Sequence, residues 1–169
     1  VRSDARLLRD DLKRELAGQK FAELTTYSFI SPREFDRMGV LADSKLREYI
    51  KLTNPLGEDF SVMRTTQISN MLDVIAKNIN RGQRDLKLFE LGKTFEKTDS
   101  DLPNESDTLT MGLYGSYNFY DLKDIFEVAM ERVGFNGFTY KTQKENPIFH
   151  AGRCADIYYG DEFIGTMGE

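Results

Sequence analysis

The sequence is poor in the residues that build metal sites, disulfides and membrane spans. It has one cysteine, Cys154, and one histidine, His150, among 169 residues. A single cysteine excludes a disulfide within the chain, and a single histidine argues against a zinc site. No apolar run approaches the roughly eighteen residues of a membrane-spanning helix, and the N-terminus lacks the apolar core of a signal peptide. We therefore expect a reducing, cytoplasmic setting and no membrane partner.

Positive charge is also scarce, because 23 lysines and arginines face 28 aspartates and glutamates, for a net charge of -5. An extended nucleic-acid surface needs clustered basic residues, and here they are interleaved with acidic ones. With 40% apolar and 12% aromatic residues, the chain can build one sizeable core. We expect a single domain over residues 1–169 that is a fragment of a longer chain.

The most informative stretch runs from Asn54 to Gly82 and opens with a tight turn. Pro55 fixes its backbone φ angle, and Gly57 lets the chain turn back. Arg64 follows, just before the start of a helix, where a guanidinium could hold a phosphate or a carboxylate. The alternative is a salt bridge that fixes the turn, and position alone favours that structural role.

The same stretch continues as an amphipathic helix. Thr65 or Thr66 can accept a hydrogen bond from the first helical turn. The apolar positions recur at steps of three and four residues, at Ile68, Met71, Leu72, Ile75 and Ile79. The helix closes at Asn80-Arg81-Gly82, where Gly82 suits the left-handed position past a helix end.

Elsewhere the pattern predicts an α+β fold with a mainly antiparallel sheet flanked by helices. Further helices are expected at 4–17, after Ser31-Pro32, and from Asp121 to Gly134. Strands are expected at 23–29, 48–52, 86–95, 108–115, 154–159 and 162–167. Most links between strands are too short for parallel crossovers.

Other candidate sites favour structural roles. His150 has no nearby partner for a catalytic relay, which favours structural hydrogen bonding. Glu90 lies on an apolar strand, either paired across the sheet or facing water. The acidic positions Asp99, Asp101, Glu105 and Asp107 lack the glycine and terminal glutamate of a calcium loop. No phosphate cradle, nucleophile elbow or metal cluster is present, so we expect no catalytic residue and no cofactor or metal site.

An ordered series of motifs nevertheless identifies a family. It comprises Phe21 to Phe29, Asn54-Pro55-Leu56-Gly57, Val62 to Thr66, Asn78 to Gly82, Leu88 to Gly92, Phe119 to Lys123, and Phe149 to Arg153. The series resembles the catalytic-like core of the β-subunit of bacterial phenylalanyl-tRNA synthetases. Three places depart from the usual pattern: Gln67-Ile68-Ser69-Asn70, Asp124 and Ala151.

The resemblance implies a class II aminoacyl-tRNA synthetase-like fold in which this domain is a degenerate relative of the catalytic α-subunit. A class II site needs an arginine after its second-motif strand to stabilise the α-phosphate. Here the strand is followed by Glu96-Lys97-Thr98-Asp99, so we expect no adenylation by this domain. ATP and magnesium would serve the parent enzyme. The resemblance also implies structural roles for the residues of the family motifs: Asn54, Pro55, Gly57, Arg64, Asn80, Arg81, Gly82, Asp121, Lys123, His150 and Arg153.

The implied role is assembly within an (αβ)2 heterotetramer that binds tRNA(Phe). Apolar residues on two helices are expected to contact the α-subunit: Leu8, Leu12, Leu16, Met71 and Ile75. Two alternatives stay open. A free-standing ATP-dependent ligase of the same fold predicts ATP binding, and an RNA-binding module predicts a basic face with salt-dependent affinity.

Overall fold

The computed structural model describes residues 4–100 and 102–169, which divide into two compact units. We call residues 22–112 the central unit, and residues 4–21 with 113–169 the terminal unit. Within the described residues, no helix combines the length and apolar character needed to cross a membrane.

Four helices and eight strands make up the described chain. In order they are α1 (Asp4–Gly18), β1 (Ala22–Glu23), β2 (Phe29–Ile30), α2 (Arg33–Arg37), β3 (Val62–Met63), α3 (Ile68–Asn80), β4 (Leu86–Glu96), β5 (Asn104–Tyr114), α4 (Phe119–Arg132), β6 (Phe138–Thr142), β7 (Cys154–Tyr159) and β8 (Glu162–Gly168). Short 3-10 turns at Lys45–Arg47 and Glu58–Phe60 complete them. The predicted α+β class is confirmed.

The central unit is built around β4, which lies between β1 and β5 in a three-stranded sheet. β1 runs parallel to β4, with Ala22 opposite Leu88, whereas β2 and β3 form a separate antiparallel pair. Met71 of α3 packs against Leu86 and Leu88 of β4, and Ile75 covers this core from the side. Helix α3 is therefore anchored on β4 through its apolar face.

The ends of α3 follow the local sequence closely. The hydroxyl of Thr66 accepts a hydrogen bond from the Ile68 N–H (3.3 Å), whereas that of Thr65 donates to a carbonyl outside the helix. At the other end Gly82 adopts a φ of 88°, as predicted, and its N–H donates to the Ile79 carbonyl. The apolar stripe is narrower than expected, since Leu72 is 48% exposed.

In the terminal unit, α1 packs against α4, and β6, β7 and β8 form an antiparallel sheet. The ring of Phe126 on α4 lies 5.1 Å from that of Phe138 on β6, which joins helix and sheet. Asn118 and Asp121 form a reciprocal capping box at the start of α4. The helix therefore begins two residues before the predicted Asp121.

Several predicted strands were wrong in extent. The strand expected at 23–29 is split into β1 and β2, because the Thr26 N–H donates to the Glu90 carboxylate instead of a neighbouring strand. The strand expected at 48–52 is reduced to a single bridge between Lys51 and Val62. β5 begins at Asn104, earlier than the expected residue 108. Its first residues are polar and mostly exposed, so they lack the apolar positions that indicate a strand. β6 was not predicted, although Phe138 to Thr142 alternate between partly buried aromatic and exposed polar side chains as a strand does.

Candidate functional site

Arg64 lies at the centre of a buried polar network in the central unit and is only 1% exposed. Its Nε donates to the carbonyl oxygen of Lys93 (2.9 Å). Its Nη1 donates to the hydroxyl of Thr26 (2.8 Å) and to the carbonyl of Tyr27 (3.4 Å). Its Nη2 donates to Oε1 of Glu90 (3.0 Å). The guanidinium therefore links the segment before α3 to β4 and to the irregular segment after β1.

The Glu90 carboxylate is equally enclosed, at 3% exposed. Besides the ion pair with Arg64, its Oε2 accepts from the Thr26 hydroxyl (2.7 Å) and its Oε1 from the Thr26 N–H (3.2 Å). A buried ion pair is stable only when such hydrogen bonds replace the lost water. Of the two roles considered for Glu90, pairing is the one observed.

Gln67 completes the network and is fully buried. In the amide orientation that satisfies its neighbours, Oε1 accepts from Arg64 Nη2 (2.9 Å) and from the Gly92 N–H (3.2 Å). Its Nε2 then donates to the Thr110 hydroxyl (2.8 Å) and to the Thr108 carbonyl (3.2 Å). We call Arg64, Glu90, Gln67, Thr26 and Thr110 the Arg64 network.

Gly92 on β4 makes the network possible. A Cβ atom at this position would overlap the side chains of Gln67 and Arg64, and it would lie 3.1 Å from Oε1 of Glu90. Only glycine lets the strand pass this close to the three side chains. Gly92 thus marks a close approach of the β4 backbone to these side chains.

All five N–H groups of the Arg64 guanidinium are engaged inside the protein. A phosphate could bind there only by displacing Glu90 or Gln67, because no donor is left over. The salt-bridge role that the position of Arg64 favours is the one observed. The arrangement can hold three segments of the fold together, and it offers no group to a ligand.

The other family-motif residues of the central unit lie at its surface. Asn54, Pro55 and Gly57 form an exposed loop, and Gly57 adopts a φ of 140° before the 3-10 turn that follows. Asn80 and Arg81 are exposed at the end of α3. None of these side chains belongs to the Arg64 network.

Within the terminal unit, each motif residue has a local partner. Lys123 forms an ion pair with Glu127 (3.0 Å), and its Nζ lies 4.7 Å from the centre of the Tyr140 ring. Burial raises the pKa of the Tyr140 hydroxyl, and the nearby Glu127 carboxylate adds to the effect.

His150 stabilises a turn, as expected of a structural histidine. Its Nδ1 accepts a hydrogen bond from the Gly152 N–H (3.1 Å). Arg153 forms an ion pair with Glu169. Nearby, burial raises the pKa of the Cys154 thiol, with a smaller contribution from Asp156. No nucleophile and base are paired at this place.

The acidic positions offer no metal site among the described residues. Asp107 lies on β5 and forms an ion pair with Lys93 (3.4 Å), and Asp101 is outside the described residues. Across 4–100 and 102–169, no three side chains of His, Cys, Asp or Glu are grouped so that they could hold a metal ion.

The residues expected at a subunit interface differ in exposure. Leu12, Leu16 and Met71 are buried within the chain at 7%, 0% and 3% exposed, because they pack against its own core. Ile75 packs on the core of the central unit. Leu8 is 36% exposed, so an apolar contact with a partner would involve Leu8 first.

Sequence reasoning missed Gln67, Thr26 and Thr110 as members of the network. The sequence held one signal for Gln67, because the segment Gln67-Ile68-Ser69-Asn70 departs from the usual family pattern. An amide in place of an apolar residue at the start of α3 needs a polar partner when buried.

Comparison with known proteins gives a consistent result. A family profile described as "Phenylalanyl tRNA synthetase beta chain CLM domain" matches residues 1–169. The phenylalanine–tRNA ligase beta subunits of Clostridium acetobutylicum and Clostridium tetani are 38% and 37% identical over 99% and 96% of this chain. The chain spans only 22% and 21% of their lengths.

A solved structure shares the fold at low sequence identity. The pyrrolysyl tRNA synthetase PylSc of Desulfitobacterium hafniense superposes with a TM-score of 0.78 at 16% identity. The match covers 98% of this chain and 58% of that one. The expected synthetase-like fold is thereby confirmed.

Proposed function

Because the chain belongs to the phenylalanyl tRNA synthetase beta chain family, we propose that it is a non-catalytic synthetase-like module that packs against a catalytic α-subunit. The module supports aminoacylation of tRNA(Phe) by an (αβ)2 enzyme in the cytoplasm. ATP and magnesium are used by the partner's site, and this chain supplies structure rather than chemistry.

The observation that carries the proposal is the closed Arg64 network. An adenylating site directs fixed positive groups at the phosphate on which charge develops. Here the guanidinium is saturated by Glu90, Gln67 and main-chain carbonyls, and it is shielded from solvent. Strand β4 ends at Glu96, and Lys97 and Thr98 follow it. The Glu96 carboxylate repels a triphosphate, and no arginine stands among the residues directly after it, Lys97-Thr98-Asp99.

The exposed part of α1 supports the assembly role. Leu7 and Leu8 are 43% and 36% exposed on a helix whose next apolar turns are buried. Adjacent exposed leucines of this kind favour a contact with another protein surface. Their partial exposure leaves apolar surface of both residues available to a partner.

Mixing the chain with the α-subunit of the same organism tests the assembly role. We expect co-elution in size-exclusion chromatography and a weaker complex for Leu8→Glu. The matched control is Leu102→Glu, since Leu102 is 76% exposed in a loop and should tolerate the change. Failure of the unmodified chain to co-elute at high concentration would contradict the proposal. Undiminished co-elution of the Leu8→Glu variant would show that Leu8 takes no part in the contact with the α-subunit.

A further inference from the structure

The loop between α4 and β6 contains the dipeptide Asn136-Gly137, and among the asparagines of the chain only Asn136 is followed by glycine. Helix α4 ends at Arg132 and β6 begins at Phe138, so the dipeptide lies outside regular secondary structure. Both of its residues are exposed to solvent. Because glycine has no Cβ, its backbone nitrogen can approach the preceding asparagine amide with little steric hindrance.

The groups that would react are not held by other interactions. The Asn136 side chain forms no hydrogen bond with any other residue of the described ranges 4–100 and 102–169. Gly137 precedes the first residue of the ladder between β6 and β7, and its N–H donates to no turn or loop carbonyl of those ranges. Gly137 has a φ of 82°, which glycine adopts without steric cost. The nitrogen and the amide carbon are therefore able to approach each other.

The other asparagines each lack one of these conditions. Asn54 and Asn146 precede prolines, whose nitrogen carries no proton. Asn80 is exposed, but it lies within α3 and precedes an arginine. Side-chain hydrogen bonds hold the remaining asparagines: Asn70, Asn78, Asn104 and Asn118.

We propose that Asn136 deamidates spontaneously and that the product loosens β6. The backbone nitrogen of Gly137 attacks the side-chain amide carbon of Asn136 and loses its proton, and ammonia departs as a succinimide ring closes. Water then opens the ring at either of its carbonyls, which gives aspartate or isoaspartate. The net reaction consumes a water molecule, releases ammonia, needs no oxidant or reductant, and adds a negative charge to the chain.

Isoaspartate has the larger effect on the fold, because it lengthens the backbone immediately before β6. Phe138 is the first residue of β6 and lies opposite Tyr159 of β7. The centre of its ring lies 5.1 Å from that of Phe126 on α4 and 5.4 Å from that of Tyr159. β6 is also at the edge of its three-stranded sheet. A longer backbone before Phe138 shifts its ring relative to both neighbours and weakens the first contacts of the strand.

The test follows the peptide that contains Asn136 by mass spectrometry while the full chain is incubated in mildly alkaline buffer. We expect the mass gain of an amide converted to an acid, separate aspartate and isoaspartate products, and a rate that rises with pH because the deprotonated nitrogen attacks. The peptide that contains Asn80 is the internal control and should keep its mass. Persistence of the Asn136 amide in the folded chain, whether or not urea accelerates its loss, would overturn the proposal. Equally fast loss of the Asn80 amide would overturn the selectivity for this loop.

Urea unfolding then measures the effect on the fold. The incubated chain should unfold at a lower urea midpoint than the freshly purified chain. The variant Asn136→Gln would need a larger ring to react and should keep its midpoint through the incubation. Freshly purified Asn136→Asp carries the added charge on an ordinary backbone and should unfold close to the unmodified chain.

Two results would overturn the loosening of β6. A midpoint of Asn136→Asp as low as that of the incubated chain would assign the loss to charge instead of backbone length. An unchanged midpoint in a chain whose mass shows complete conversion, with isoaspartate present, would show that β6 tolerates the longer backbone.

Discussion

Glu90→Ala should be among the most damaging single substitutions in the central unit. It removes the carboxylate paired with Arg64, whose side chain is 2% exposed, and leaves the guanidinium charge buried. It also removes the acceptor for the hydroxyl and the N–H of Thr26. Breaking one side of a buried pair costs about 3–5 kcal/mol, a large part of the stability of a domain of this size.

Urea unfolding followed by circular dichroism measures the loss, since the chain has no tryptophan for fluorescence. The matched control is Asp107→Ala, which breaks the ion pair between Asp107 on β5 and Lys93 on β4. These two side chains are 44% and 40% exposed, respectively. That change should cost less than about 1 kcal/mol. The double variant Arg64→Met/Glu90→Met should be less destabilised than the two single variants together. A cost for Glu90→Ala no greater than that of the control would refute the network's structural role.

The remaining predictions concern packing and titration. Gly92→Ala should destabilise the chain by about 1–3 kcal/mol or more in urea unfolding, because its Cβ overlaps Gln67 and Arg64. Gly165→Ala, also in a strand but with open space around it, is the control and should cost little. Cys154 should react slowly with a thiol reagent near neutral pH, because burial raises its pKa above 9.0. Rapid modification of the native chain would contradict this. Tyr140 and Cys154 both have raised pKa values, so each contributes stability below its ordinary pKa of 10.0 or 9.0 that is lost as pH rises further. Tyr140→Phe should therefore reduce the loss of stability on alkaline titration, and an unchanged titration would refute that account.

The helices could be predicted because their signals are local. Gly82 and the apolar steps of α3 fix that helix within a few residues, and the short helix after Pro32 buries Phe35 as expected. The start of α4 was misjudged, because the capping role of Asn118 depends on a reciprocal bond with Asp121. Caps made by two side chains are harder to recognise than a single glycine.

The Arg64 network could be predicted only in part, because its contacts are distant in sequence. Thr26 and Glu90 are 64 residues apart, and Arg64 and Glu90 are 26 apart. A pattern of residues marks Arg64 and Glu90 as unusual, but it cannot say which strand register brings them together. The same distance explains the failed strand at 23–29, since the hydrogen bonds of Thr26 leave the sheet for a side chain.

Phenylalanine-dependent exchange of pyrophosphate into ATP, measured with the purified chain alone, tests the central claim most directly. We expect no exchange above background, because the Arg64 guanidinium is saturated within the fold and the residues directly after β4, Lys97-Thr98-Asp99, include no arginine. Exchange that depends on phenylalanine and disappears in Arg64→Met would contradict the account, since it would place Arg64 in a working adenylation site.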